Sequence, residues 1–239
     1  MKTFVLLLMN FFLISVLSST SQAKTYLISD IDDTIKISGD RVDWAKYPDP
    51  TIRDKPFAGV DTLFTALAEN GVEIRYVSGN QNSERALQFL NVNHFPNPTR
   101  LIFRTDTKLK TVDFKVQAIS SIILETLKTD PKAQFILAGD NGENDPVTFS
   151  QLKEDPKVNQ AILKYFVHEL YPADIGTPLG NGQEGYKTAD ELGSSLLDLD
   201  LLSTSQIQEV KVEVIQKAEL AQPVFDKSVC RLSLEAISN

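Results

Sequence analysis

Thr25-Tyr26-Leu27-Ile28-Ser29-Asp30-Ile31-Asp32-Asp33-Thr34 is the stretch on which the reading of this chain turns. Thr25 to Ser29 is a short β-rich run that stops at a cluster of carboxylates, so it reads as a first strand with acidic groups at its end. Asp30 and Asp32 are two residues apart. On an extended strand end that spacing puts both carboxylates on one side. Two such groups repel, and need a cation or a shared proton. A hard cation with oxygen ligands, magnesium above all, suits them. One carboxylate could then attack phosphorus while the other handles the proton of the leaving group. The same spacing also fits an acidic turn or a helix N-terminus, so the motif alone leaves the choice open.

Outward from this strand the chain alternates. The spacing predicts a loop over Asp40 to Lys55 and a helix over Phe57 to Glu69, closed by Asn70-Gly71. Strands follow at Val72 to Val77, Thr99 to Phe103, Gln134 to Ala138 and Ile162 to Val167. Helices are expected at Asn82 to Leu90, Phe114 to Leu127 and Val147 to Leu152. Strands alternating with helices imply β-α-β units, an α/β class and a doubly wound, mainly parallel sheet. In such sheets ligands bind beyond the carboxyl ends of the strands. Asp174 to Tyr186 holds four glycines and no clear period, and reads as a loop that could border the site. Lys187 to Leu197 and Ser203 to Leu220 look helical, giving a helical C-terminal extension from about residue 172, packed on the sheet within one domain spanning 24–239.

Three more clusters follow strand ends or open helices. Ser78-Gly79-Asn80 offers a hydroxyl and free backbone N–H groups to a phosphate oxygen, though a plain turn would look the same. Lys115, near the start of a helix, could neutralise phosphoryl oxygens and a carboxylate. Lysines on helices are usually solvated, and Lys108 and Lys110 compete for the role. In Gly139-Asp140-Asn141-Gly142-Glu143-Asn144-Asp145-Pro146, a glycine turn can return Asp145 to the cation that Asp140 meets. The spacing lacks the ligand set and closing glutamate of an EF-hand calcium loop.

The four clusters in this order resemble the haloacid-dehalogenase superfamily of phosphohydrolases, over Tyr26 to Pro146. The resemblance implies a Rossmann-like sheet, Asp30 as nucleophile and Asp32 as general acid/base. Thr34 would support the loop beside the substrate, and Ser78, Gly79 and Lys115 would hold the phosphoryl group. Magnesium would be bound by Asp30, the backbone carbonyl of Asp32 and Asp140, while Asp145 would ligate it or orient Lys115. Asp30-Ile31-Asp32-Asp33-Thr34-Ile35-Lys36, Phe95-Pro96, Leu101-Ile102-Phe103-Arg104 and Gly139-Asp140 through Asp145-Pro146 are similar, more narrowly, to the catalytic domain of the actin-patch-associated phosphatidate phosphatases. At Ser78-Gly79-Asn80-Gln81 the chain departs from that family, which tends to Ser-Asn-Ser-Pro. The implied substrate is a phosphorylated lipid such as phosphatidate. Soluble phosphomonoesters or phosphoproteins are the alternative, and a metal- or phosphate-binding module without turnover the non-enzymatic one. The segments between Thr34 and Ser78 and between Ser78 and Lys115 are too short for a sizeable cap domain, so a capless, open site is expected.

Composition sets the remaining bounds. The 239 residues are 42% hydrophobic, enough for a full core, and the net charge of −8 with no long basic run argues against nucleic acid and against polybasic membrane docking, leaving at most peripheral membrane contact. Lys2, the apolar Thr3 to Leu17 and Ser21-Gln22-Ala23 form the pattern of a cleaved signal peptide, residues 1–23, and of a secreted or periplasmic protein. The apolar run falls short of the roughly 17–25 residues a spanning helix needs. Cys230 is the only cysteine, so no internal disulfide forms and Cys230 reads as a small core residue.

Overall fold

The structure is a computed structural model and describes residues 23–230. Apart from Ala23, the expected leader lies outside the described residues. Six strands form one sheet: β1 (Thr25–Ser29), β2 (Glu73–Ser78), β3 (Leu101–Phe103), β4 (Gln134–Asp140), β5 (Ile162–His168) and β6 (Glu184–Tyr186). All neighbours run parallel, in the order β3-β2-β1-β4-β5-β6. After β1 the chain builds outward through β2 and β3, then crosses back to β4 and builds the other way. The switch point of this doubly wound sheet therefore lies between β1 and β4, and their carboxyl ends carry Asp30 and Asp140.

Alternation along the strands makes two cores. Leu27, Ile74, Tyr76, Ile136 and Ala138 face one side, where they meet α1 (Val60–Glu69), α2 (Ser83–Val92), α6 (Ala189–Leu197) and α7 (Thr204–Gln216). Tyr26, Ile28, Val77, Phe135 and Leu137 face the other and meet α3 (Thr111–Thr129) and α4 (Asp145–Leu152). The described residues also hold two short helices, α5 (Pro156–Asn159) and α8 (Ala218–Ala221). Strands buried on both faces read as continuous apolar runs. Burying each large side chain contributes about 1.5–3 kcal/mol.

The C-terminal helices lie on α1. Thr62 Oγ1 donates to Glu213 at 2.6 Å. A Cβ on Gly193 would come within 2.8 Å of Ile207 Cδ1, so α6 and α7 pack closely at this glycine. Ser203 and Gln206 form a reciprocal cap at the start of α7. The helix breaks at Lys217, before Leu220.

Part of the expected glycine loop is a strand. Residues 184–186 add β6 to the sheet edge, with Lys164 and Glu184 paired at 2.8 Å. Three residues are too few to show a period, and β6 is specified by what it lies against. Tyr186 stacks on the His168 ring at 5.0 Å, and Phe57 meets that ring edge-on at 4.6 Å. His168 Nδ1 lies 2.9 Å from Asp33 O and Nε2 3.1 Å from Lys187 O. Burial lowers the His168 pKa to about 4, although both carbonyls favour the protonated ring. Below the ordinary histidine range the unfolded chain therefore takes up a proton that the folded chain refuses. Stability falls as pH drops from about 6.5 towards 4, by up to roughly 3 kcal/mol from this group. His168→Gln is expected to flatten that part of the stability curve relative to wild type, as read from urea midpoints across the pH range. Parallel curves for the two proteins would refute it.

Candidate active site

Four chain segments deliver polar groups to the carboxyl edge of the sheet. β2 ends at Ser78 and β4 at Asp140, while Asp30 follows β1 and Arg104 follows β3. Lys115 comes from the side. On α3 the buried positions are Lys115, Ala118, Ile119, Ile122, Ile123 and Thr126, one helical stripe. Lys115 lies on that apolar stripe and is buried with it, which separates it from the exposed Lys108 and Lys110.

At the centre is a cluster of buried charge. Lys115 Nζ is 2.6 Å from Asp145 Oδ1, 2.9 Å from Glu143 Oε2 and 3.3 Å from Asp30 Oδ1. Asp30, Asp140 and Asp145 each bring a carboxylate oxygen within 4.8 Å of the others. Burial and mutual repulsion hold all three carboxyls above their ordinary range, with Lys115 pulling against this at Asp30 and Asp145. Burial pulls the Lys115 ammonium down, but the surrounding carboxylates outweigh it and the net shift is upward. Asp30 Oδ2 is buried and has no partner in the protein. With Glu143, four carboxylates surround one ammonium, an excess of negative charge that a bound cation would offset. The oxygen-only donor set and the unpartnered Asp30 oxygen fit a hard cation such as magnesium.

The loop after β4 is shaped for this cluster. Asp140 Oδ1 accepts from Gly142 N at 2.7 Å and Glu143 N at 2.9 Å, and Asp145 Oδ2 accepts from Asp140 N at 3.1 Å. A Cβ on Gly139 would sit 2.5 Å from Asp145 Oδ2, so only glycine lets Asp145 fold back. Thr34 Oγ1 donates to Asp140 Oδ2 at 3.3 Å, so this hydroxyl orients a carboxylate. Thr177 N donates to Asn141 O at 2.6 Å, and its hydroxyl to Glu143 O at 2.7 Å, so the glycine-rich segment braces the loop.

Asp32 stands apart from the three clustered carboxylates. Burial alone would raise its pKa. The Lys36 ammonium against Oδ1, the Ser38 hydroxyl and Asn80 Nδ2, 3.4 Å from Oδ2, reverse the sign and keep it ionised. Asp32 faces an open cavity of about 290 Å³, which Asn80, Arg104, Thr111 and Glu143 also line. Asp33 has a bracing role. With φ at 59°, it turns its carboxylate back to accept from Ser38 N, Gly39 N at 2.6 Å and Tyr171 OH at 2.6 Å.

Ser78 Oγ accepts from Asn80 N at 3.1 Å, leaving its own hydrogen to donate. A Cβ on Gly79 would be 2.6 Å from Thr111 Cγ2, 3.6 Å from Lys115 Cε and 3.7 Å from Glu143 Oε2. Glycine here keeps open the space between the β2 turn and Lys115, where the Glu143 carboxylate now stands.

The sequence-predicted residues thus divide into a core of Asp30, Asp140, Asp145 and Lys115, a flanking turn of Ser78 and Gly79, a brace in Thr34, and Asp32 at the cavity. Lys36, Ser38 and Glu143 were given no role on sequence grounds. Lys36 lies in the quoted motif string, but nothing in its spacing shows that it turns back on Asp32.

Comparison with known proteins places the site in a family. The family model described as "Phosphatidate phosphatase APP1, catalytic domain" matches residues 25–167, from β1 to the end of β5. No curated protein sequence matches. Two solved structures of the class C acid phosphatase from Bacillus anthracis are similar, one with tungstate bound. The tungstate-bound structure is 13% identical, with 84% of this chain and 83% of that chain covered and a TM-score of 0.34. The other is 14% identical with the same coverage and a TM-score of 0.30. The match over 25–167 runs through every element that carries Asp30, Ser78, Lys115, Asp140 and Asp145, and the chain belongs to the phosphatidate phosphatase APP1 catalytic-domain family, as a phosphatase.

Proposed function

We propose that the chain is a magnesium-dependent hydrolase of phosphate monoesters that works through Asp30, that its substrates are lipid phosphates such as phosphatidate, and that it acts outside the cytoplasm after loss of residues 1–23. The observation that carries the catalytic part is the state of Asp30. One oxygen lies against Lys115, and the other is buried and unpartnered inside a carboxylate cluster. Asp30, Asp140 and Asp145, with the backbone carbonyl of Asp32, would hold magnesium, which when bound supplies positive charge to the phosphoryl oxygens.

The chain's own residues do the rest. Asp30 attacks phosphorus, and the bond from phosphorus to the leaving oxygen breaks as that oxygen takes a proton from Asp32. Asp32 then takes a proton from a water that displaces Asp30 from phosphorus. Lys115, the Ser78 hydroxyl and the Gly79 backbone orient the phosphoryl oxygens. Glu143 must leave Lys115 as they arrive. Lys36 keeps Asp32 ionised in the free site. An approaching phosphate dianion raises its proton affinity, and Asp32 takes up a proton from solvent water as the substrate binds, which it then passes to the leaving oxygen.

Neither connecting segment forms a separate domain over the site, so a headgroup at a lipid surface could reach it. Among the described residues no helix is long and apolar enough to cross a membrane. Membership of a phosphatidate phosphatase catalytic-domain family supports phosphatidate. Phosphate release from phosphatidate micelles, nucleotides and sugar phosphates, with magnesium or EDTA, tests the reading. Phosphatidate is expected to show the highest kcat/KM and EDTA to abolish release. A soluble ester preferred by tenfold or more would move the substrate to the soluble class, and indifference to EDTA would refute the metal.

A further inference from the structure

Arg104 is the cation that the chemistry above does not use. It sits where β3 ends, its N–H donating to Ser78 O at 3.2 Å. Nη1 donates to Leu109 O at 2.9 Å, while Nε is buried and has no partner. Among the residues lining the cavity of about 290 Å³, Arg104 is the one cation, against the carboxylates of Asp32, Asp40 and Glu143. A guanidinium carries five N–H donors in a fixed plane, and a buried one without an acceptor is costly.

The cavity has a direction. Asp32 lines it, and Gly79 borders it at the phosphoryl end, whereas Asp30, Asp140, Asp145 and Lys115 do not line it. On the roles proposed above, the group that gives a proton to the leaving oxygen lies on the leaving-group side, so the released alcohol occupies this cavity. Its size admits a three-carbon polyol and its open mouth lets longer substituents out. We propose that Arg104 receives an oxygen acceptor of the leaving alcohol, and so selects phosphomonoesters of oxygen-rich alcohols, glycerol or its acyl esters, over those of bare aryl alcohols. Asp40 and Glu143 accept from any free hydroxyls of the same group. Arg104 is a specificity-determining residue, distinct from the groups that hold the phosphoryl oxygens.

The test compares preferences. For wild type, Arg104→Met and Arg104→Lys, kcat/KM is measured on glycerol 3-phosphate, dioctanoyl phosphatidate and phenyl phosphate, with melting temperatures to verify folding. In Arg104→Met the preference for the glycerol esters over phenyl phosphate falls by roughly 10–100-fold, the loss of one charge-assisted hydrogen bond. Arg104→Lys falls between Met and wild type. A fall with both glycerol esters places the acceptor on the glycerol oxygens, and a fall with the diacyl ester alone places it on an ester carbonyl. A preference within threefold of wild type for both overturns the proposal, whether because all activities drop together or because none does. The same ratios of dissociation constants, measured by calorimetry in an Asp30→Asn background, judge Arg104 without turnover. A wild-type protein that hydrolyses none of the three esters would overturn the phosphatase mechanism, while those binding ratios still decide Arg104.

Discussion

Asp30→Asn is expected to lower kcat by roughly four to six orders of magnitude, the scale seen when a covalent nucleophile is removed, without loss of folded structure. The amide has the shape of the carboxylate and can still accept from Lys115 through one oxygen. It removes one of three buried negative charges whose repulsion, with burial, holds the carboxyl of Asp30 well above its ordinary range. In EDTA the variant should melt at or above the wild-type temperature, since the metal-free wild type carries that repulsion uncompensated. Phosphate release and thermal melting on the same preparation separate the two effects. A variant within tenfold of wild-type kcat would remove Asp30 from the mechanism. A variant that melts far lower would mean that Asp30 is a structural anchor.

The second large effect is on stability. Lys115→Met should destabilise the protein by about 3–5 kcal/mol, because it leaves buried carboxylates without their counter-ion. At this chain length that corresponds to a melting temperature lower by roughly 6–20 °C. Lys115 is 2% exposed and touches three carboxylates. Without it the carboxyls of Asp30 and Asp145 move further up, so the loss is largest at high pH and shrinks as pH falls and they protonate. Magnesium should restore part of the stability by supplying the missing charge. Lys128, paired with Glu125 at the exposed end of the same helix, is the control. Lys128→Met should change stability by less than about 0.5 kcal/mol. Equal losses for the two lysines would contradict the buried-charge account.

The parallel sheet and its order of elements were legible because each strand is a continuous apolar run and each main helix a clear stripe. So was the set of strand-end groups, since β1, β2 and β4 stop where the polar clusters begin. The burial of Lys115 was also written in the chain, four residues before Ile119 on the apolar stripe of α3. What could not be read were contacts made by folding back over variable distances. Lys36 returns to Asp32 through a turn with no periodic signature, and Tyr171 reaches Asp33 from far along the sequence. β6 was hidden for a related reason, because only β5, and the stacking of Tyr186 on His168, specify it. Asp33 looked like one more acid of the motif, and its left-handed backbone is what turns its carboxylate away from the cation cluster to brace the loop.

The central claim is that the phosphoryl group passes through Asp30. Acid quenching during turnover, followed by digestion and mass spectrometry, reads this directly. The account predicts one added phosphoryl group on the peptide containing Asp30, lost in Asp30→Asn and absent without magnesium. Sustained turnover with no phosphoryl on that peptide, or with phosphoryl on another residue, would contradict it.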